Sequence, residues 1–286
     1  RTPALARTAG GLAAIAGLAL AIRPLLPLGT TGGHRIGRGL GALGFLGWLP
    51  AAIVLVLLGA ATMAGRLPRL GLAAVGAAGA LGVGQLIHWL WLADTGARSA
   101  LDLPVPGQAV PATSYSVGPG LVVAIVAALG AVLGALAAYA SWADTVMEDD
   151  GRFDRRRPAF ASAGLVVGAG TVIAFGAGPS SSALGIAAAG VTQASGWQLT
   201  GELAFVALIV VACAVAPTLR PRLAVVTVWL VLGCVLLGIA VENAVVVGRS
   251  PDLGTTFGTV AEPVAAGLVL VLAAAAAAAG ERRTGA

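Results

Sequence analysis

Residues 223–247 read LAVVTVWLVLGCVLLGIAVENAVVV, an apolar run of 25 residues that carries a single charged side chain, Glu242. An α-helix rises about 1.5 Å per residue, so a run of this length crosses the roughly 30 Å hydrocarbon core of a bilayer. The stretch therefore predicts a membrane-spanning helix, and its one carboxylate is the first candidate for a functional residue.

The composition extends this prediction to the whole chain. Of its 286 residues, 58% are hydrophobic and only 10% are charged, and the mean hydropathy is +0.95. Soluble domains carry roughly 25% charged residues, and this chain has too few charges to cover a soluble core. We expect an all-α integral membrane protein, which excludes a soluble enzyme, a disordered tail and a disulfide scaffold. Cys213 and Cys234 are interpreted as small packing residues.

Windows of about 20 apolar residues predict a polytopic bundle of about eight transmembrane helices. The predicted spans are residues 9–29, 40–64, 70–93, 119–143, 159–178, 201–217, 223–247 and 263–280. Arg23, Pro24 and Pro27 interrupt the end of the first span. The first segment is therefore expected either to span the membrane or to lie at its interface, and a signal peptide is a further alternative.

Arginine distribution predicts the orientation of the bundle. All 17 basic residues are arginine, which together with the abundant Ala and Gly is typical of a GC-rich bacterial genome. With the N-terminus inside, 12 arginines lie on the cytoplasmic side and five on the other, so both termini are expected in the cytoplasm of a plasma-membrane protein. The pI near 10.5 is interpreted as loop arginines that face anionic lipids. The expected partners are membrane lipids and other membrane protein subunits, and no nucleic acid.

A weak internal repeat is visible at an offset of 153 residues. Pro68-Arg69-Leu70 opens the third predicted span, and Pro221-Arg222-Leu223 opens the seventh. An offset that preserves topology favours two parallel four-helix halves, residues 1–146 and 158–286, joined by a charged cytoplasmic linker at 147–157. The alternative is a chance tripeptide match in a biased composition.

Glycine pairs are interpreted as sites of close helix packing. The stretch Gly39–Gly44 matches GxGxxG, but it runs into an apolar helix and lacks the preceding strand that nucleotide binding requires. Gly130 with Gly134, and Gly164 with Gly168, are spaced four apart, as in helices whose backbones approach closely in lipid. These pairs predict a dense bundle with little internal cavity.

Polar residues inside the spans form a candidate intramembrane polar site. It comprises Glu242, Asn243 and Arg23, together with Gln85 and His88 on one face of the third span. An ion pair between Glu242 and Arg23 is the structural interpretation, and a carboxylate that binds a cation or carries a proton is the functional alternative. Trp89 and Trp91 are interpreted as interfacial-belt residues.

No cofactor and no metal site are expected. A haem held by His34 and His88 is disfavoured because His34 lies in a Gly-rich loop. Catalysis has little support, since Asp94, Glu202 and Glu262 are each interpreted as isolated acids near helix ends.

Three functions follow from these observations. The leading hypothesis is a non-catalytic accessory or scaffold subunit of a cell-envelope membrane complex. The first alternative is a small-solute or ion transporter with its site between the two halves, around Gln85, His88, Glu242 and Asn243. The second is a membrane enzyme that acts on lipid-linked substrates through an outer-face carboxylate such as Asp94, Glu202 or Glu262.

Overall fold

The structure is a computed structural model that describes residues 2–31, 34–36, 41–94, 115–145, 153–178, 180–182, 196–249 and 253–279. Within these ranges the chain forms eight long helices, each long and apolar enough to cross a membrane. They are α1 (Ala4–Ile22), α2 (Gly41–Met63), α3 (Pro68–Ala93), α4 (Pro119–Ser141), α5 (Arg157–Gly176), α6 (Gly196–Val215), α7 (Arg222–Arg249) and α8 (Phe257–Ala278). This helix number and character confirm the predicted all-α bundle of about eight long apolar helices.

Five short strands accompany the helices, although the hydropathy pattern predicted only loops there. They are β1 (Gly29–Thr31), β2 (His34–Ile36), β3 (Tyr115–Val117), β4 (Ser180–Ser182) and β5 (Leu253–Thr255). β1 pairs antiparallel with both β2 and β3, and β4 pairs antiparallel with β5. Because three-residue strands have no hydrophobic period, sequence patterns do not reveal them. We call the end of the bundle with these sheets the strand end, and the opposite end, with Arg69, Arg157 and Arg222, the arginine end.

The first helix ends earlier than hydropathy predicts, at Ile22 and not at residue 29. The chain tightens into a 3₁₀ turn at Arg23–Leu25, with Pro24 in its first positions. Proline lacks an amide N–H and cannot continue the α-helical ladder. Arg23 consequently leaves the helix axis at the strand end, where it reaches the neighbouring helices.

The last helix begins six residues earlier than the predicted position 263, because a capping box fixes its start. The Thr256 side chain accepts a hydrogen bond from the backbone N–H of Thr259, and the backbone N–H of Thr256 donates to Thr259 Oγ1 over 3.0 Å. Satisfied amides at N-cap and N3 stabilise a helix start. Glu262 therefore lies inside the second turn of α8. The hydropathy pattern predicted instead that it precedes the span.

The helix contacts fall into two corresponding sets. In the first four helices, α1 packs against α2 and α4, and α3 packs against α4. In the last four, α5 packs against α6 and α8, and α7 packs against α8. α3 also contacts α6 and α7, while α2 contacts α7. α3 and α7 are the most buried of the eight helices and form the centre of the molecule.

Two arginines at corresponding positions bind backbone carbonyls of a neighbouring segment at the arginine end. Arg69 of α3 donates from Nε to the carbonyl of Thr145, just beyond α4, over 2.8 Å. Arg222 of α7 donates from Nη1 to the carbonyls of Ala276 and Ala277 in the last turn of α8. The final carbonyls of a helix lack intrahelical donors and carry partial negative charge, so a guanidinium satisfies both needs.

The small residues pack as predicted where helices cross most closely. A Cβ placed on Gly164 of α5 would lie 2.7 Å from the carbonyl oxygen of Cys213 in α6, and a Cβ on Gly168 would lie 3.2 Å from Cys213 Cβ. Side chains larger than hydrogen would force these helices apart. The expectation of little internal cavity is nevertheless wrong, because the bundle opens around the polar residues at the strand end.

Candidate functional site

An ion pair inside the bundle joins the turn that follows α1 to α7. Both terminal nitrogens of the Arg23 guanidinium donate to the Glu242 carboxylate: Nη1 reaches Oε2 over 2.6 Å, and Nη2 bonds to Oε1. The side chain of Arg23 is 3% exposed and that of Glu242 is 15% exposed. The predicted pair is therefore present, in the bidentate geometry that makes an arginine–carboxylate contact strong.

Two tryptophans surround the Arg23 guanidinium. Its central carbon lies 4.6 Å from the ring centroid of Trp89 and 5.4 Å from that of Trp48. The Trp48 indole N–H also donates to Glu242 Oε2 over 3.0 Å. Aromatic faces attract cations most strongly where water is excluded. Trp89 thus contacts a buried cation, and its place in the interfacial belt stays a prediction.

A cavity of about 320 Å³ lies beside this pair, between α3, α6, α7 and α8. We call it the polar cavity. Its polar lining combines carboxylates, amides and an imidazole: Gln85, His88, Gln198, Glu202, Glu242, Asn243 and Glu262. The volume lies at the lower end of the range that holds small ligands. Four of the five sequence-predicted site residues line it, and Arg23 contacts it through Glu242.

Three carboxylates converge on the polar cavity from three different helices. Glu202 extends from α6, Glu242 from α7 and Glu262 from α8. Glu262 is the deepest, with 1% exposure, and Glu202 is 23% exposed. Arg23 neutralises Glu242, whereas the described lining supplies no arginine to the other two. The interpretation of Glu202 and Glu262 as isolated acids is therefore wrong.

Polar side chains of α3 and α7 accompany the two remaining carboxylates. Asn243 donates from Nδ2 to Glu262 Oε2 over 2.8 Å. His88 Nδ1 lies 3.8 Å from Glu202 Oε1, too far for a hydrogen bond but close enough for an electrostatic contact if the imidazole is charged. Each acid keeps lone pairs that these contacts do not use, since a carboxylate accepts about four hydrogen bonds.

A close approach of α3 and α6 sets the width of the polar cavity. A Cβ on Gly84 would lie 2.7 Å from the Gly201 carbonyl oxygen and 2.5 Å from Phe205 Cβ. Only glycine at both positions allows this distance between backbones. The crossing brings two residues to the walls of the polar cavity: His88, one turn beyond Gly84 toward the strand end, and Glu202, which directly follows Gly201.

The site lies below the membrane surface predicted from the helix ends. His88 precedes the end of α3 by five residues, and Glu262 follows the start of α8 by five residues. At about 1.5 Å per residue, both lie about 8 Å inside the strand end. Charged groups at such depth cost free energy and generally have a function or a partner.

Other sequence candidates lie elsewhere. His34 belongs to β2, and its side chain lies outside the described set, so the haem hypothesis is not tested. Asp94 caps the end of α3 and does not line the polar cavity. Among the described residues, no three His, Cys, Asp or Glu side chains form a group that would hold a metal ion.

Comparison with protein-family models, with curated proteins and with solved structures finds no match to this chain. The function is therefore argued from the geometry of the polar cavity.

Proposed function

We propose that this chain is a membrane transporter that binds a small organic cation in the polar cavity, between two four-helix halves. The observation that carries the proposal is the cavity itself, in which Glu202 and Glu262 face open space without an arginine partner in the described lining. A cation that enters this space would neutralise two carboxylates that are otherwise costly to hold in a bundle of apolar helices.

The walls of the polar cavity favour an organic cation. Phe175 and Phe205 contact each other with ring centroids 6.0 Å apart, and Trp48 and Trp89 close the opposite side. Carboxylates supply charge neutralisation, while aromatic faces supply cation–π attraction and apolar contact. A small amine or amidine has both a charge and an apolar body, so it uses both kinds of wall.

The packing of the helices supports a tandem arrangement, as parallel-repeat transporters have. The contacts within α1–α4 correspond to those within α5–α8, and the α3–α6 contact corresponds to the α2–α7 contact. Transporters built from repeats place substrate sites at the interface of the halves and expose them alternately by rocking one half against the other. The polar cavity lies at such an interface, because α3 belongs to one half and α6, α7 and α8 to the other.

The position of the polar cavity supports access from one side of the membrane. It lies near the strand end, predicted to be the outer face, and the path toward the arginine end is filled by buried side chains such as Leu232, Val235 and Ile209. This arrangement corresponds to the outward-open state of an alternating-access cycle. Transport then requires that α3 and α7 shift relative to each other.

An accessory-subunit role remains a second candidate, because one apolar groove is lined by small residues that would allow close helix packing. A groove of about 700 Å³ runs between α4 and α6 with α3 as its floor, lined by Ala73, Gly76, Ala77, Ala80 and Ala135. Small residues allow a helix of another subunit to approach closely in lipid. The same groove would also accept an acyl chain, so it does not itself distinguish a transporter from a subunit.

A ligand panel followed by counterflow tests the proposal. The purified chain is melted in detergent with small organic cations, neutral isosteres and anions, and the best-stabilising cation is then used for counterflow into proteoliposomes. A ligand that binds only the folded state at 100 times its Kd stabilises by about 2.7 kcal/mol. We expect cations alone to raise the melting temperature and counterflow to follow the same ranking.

Matched variants make the result specific to the polar cavity. Glu202→Gln with Glu262→Gln should abolish the cation-dependent shift, whereas Asp144→Asn, at an exposed position near the arginine end, should leave it unchanged. A folded wild-type chain that no cation stabilises, and that co-purifies with a fixed set of membrane proteins, would contradict the transporter and favour the subunit.

A further inference from the structure

The polar cavity has a filled counterpart in the first half of the molecule. A second cavity, of only about 40 Å³, lies among α1, α2, α3, α4 and α7. The polar cavity lies among α5, α6, α7, α8 and α3, with Trp48 at its edge. The helices that line the two cavities correspond when α1, α2, α3 and α4 are matched with α5, α6, α7 and α8, in that order.

Two residues that line the small cavity have glycines at the equivalent positions of the second half. At the offset of 153 residues, Gly176 corresponds to Arg23 and Gly201 corresponds to Trp48. In the first half, Arg23 and Trp48 fill the space, and both line the small cavity. In the second half neither equivalent position supplies a side chain, and Gly201 forms part of the wall of the polar cavity.

The filled site shows what kind of group this architecture holds. Its occupant is the guanidinium of Arg23, which is bidentate to Glu242 and lies against the rings of Trp48 and Trp89. The open site offers the same kinds of contact from other residues. Glu202 and Glu262 supply carboxylates, and Phe175 and Phe205 supply aromatic faces.

We infer that the polar cavity binds a guanidinium or amidinium group, a planar cation of the kind that Arg23 supplies in the small cavity. The inference rests on the proposed function and deepens it by naming the substrate class. Planar N–H donors in a fork match carboxylates in a way that a rounded ammonium ion does not. Carboxylates on separate helices, α6 and α8, allow such a cation to bridge the cavity.

Three probes of similar size separate charge from shape. Methylguanidinium has both the charge and the planar donors, methylurea has the donors without the charge, and tetramethylammonium has the charge without the donors. Each is titrated calorimetrically into the full chain in lipid nanodiscs. We expect methylguanidinium to bind at least about tenfold more tightly than tetramethylammonium, as charged hydrogen bonds of about 1.5–3 kcal/mol require. Methylurea should not bind measurably.

Variants of Glu202 and Glu262 complete the test. Glu202→Gln and Glu262→Gln should each weaken methylguanidinium binding by about tenfold or more, since each removes a charged acceptor. Asp144→Asn should have no effect on binding.

The outcomes are distinguishable from those of the proposed function. Tetramethylammonium binding as tightly as methylguanidinium would overturn the planar-cation inference and leave the cation transporter standing. Binding of neither cation to the folded chain would overturn both. Tight methylguanidinium binding that Glu202→Gln and Glu262→Gln leave unchanged would place the ligand outside the polar cavity and contradict the inference.

Discussion

At the scale of single residues, the buried charges decide how the strand end is built. Arg23 and Glu242 were predictable as a pair because each is a lone charge inside an apolar run. Neither would be stable alone at 3% and 15% exposure. The pair accounts for Glu242 alone, since Glu202 and Glu262 have no arginine in the described lining of the polar cavity.

Breaking the Arg23–Glu242 pair should destabilise the fold. Glu242→Gln leaves a buried guanidinium without its carboxylate, and the expected loss is about 3–5 kcal/mol, as for other broken buried pairs. The double variant Arg23→Leu with Glu242→Gln removes both charges and should recover much of that loss. Thermal melts of the two single variants and the double variant measure the coupling. Additive losses would contradict an energetic role for the pair.

At the scale of helices, the bounds of α6 and α8 explain why part of the site was missed. Hydropathy placed the start of the last span at residue 263, after Glu262, because an apolar window excludes acids. The helix begins at Phe257 instead, since the Thr256–Thr259 capping box supplies its first hydrogen bonds. The acid is thereby carried into the bundle. A capping box can be recognised in a sequence. The placement of Glu262 and Glu202 in one cavity depends on tertiary packing and cannot.

Glycines of α3 give matched tests of packing. Gly84→Ala puts a Cβ 2.5 Å from Phe205 Cβ, so α3 and α6 must separate, and we expect a loss of about 1–3 kcal/mol. Gly76→Ala meets nothing within 4 Å and should be neutral or stabilise the helix by up to about 1 kcal/mol. Denaturation of both variants in detergent measures the difference. Equal effects would show that α3 and α6 do not meet at Gly84.

The arginine caps make a second prediction for helices. Arg222→Met removes donors to the carbonyls of Ala276 and Ala277, so the last turn of α8 should exchange its amide hydrogens faster, at a cost of about 1–3 kcal/mol. Arg69→Met should act in the same way on the chain segment that follows α4. Arg66→Met is the control, because Arg66 forms no such cap among the described residues. Unchanged exchange in α8 would refute the capping role.

At the scale of the whole molecule, the apolar windows predicted eight helices because span length follows directly from bilayer thickness. The strands and the polar cavity were not predictable, since they depend on which helices meet. The correspondence between the halves was signalled only by Pro68-Arg69-Leu70 and Pro221-Arg222-Leu223. In the structure both arginines of these motifs donate to backbone carbonyls of a neighbouring segment, Arg222 to the last turn of α8 and Arg69 to Thr145 beyond the end of α4.

The orientation of the bundle has its own test. With 12 arginines against five, the arginine end is predicted to face the cytoplasm. Cysteines introduced at Ser99 and Ser181 should react with an impermeant thiol reagent added outside the cell, and one introduced at Asp150 should not. The native Cys213 and Cys234 are buried and should contribute little background. Reversed labelling would place the polar cavity on the cytoplasmic side.

Charge movement across the membrane tests the central claim most directly. The chain is reconstituted into proteoliposomes on a solid-supported membrane, and methylguanidinium is added in a rapid solution exchange. We predict a transient current that carries positive charge into the vesicles, that saturates with concentration, and that disappears in the Glu202→Gln, Glu262→Gln double variant but not in Asp144→Asn. A folded wild-type chain that binds the cation and gives no current above empty liposomes would contradict the transporter.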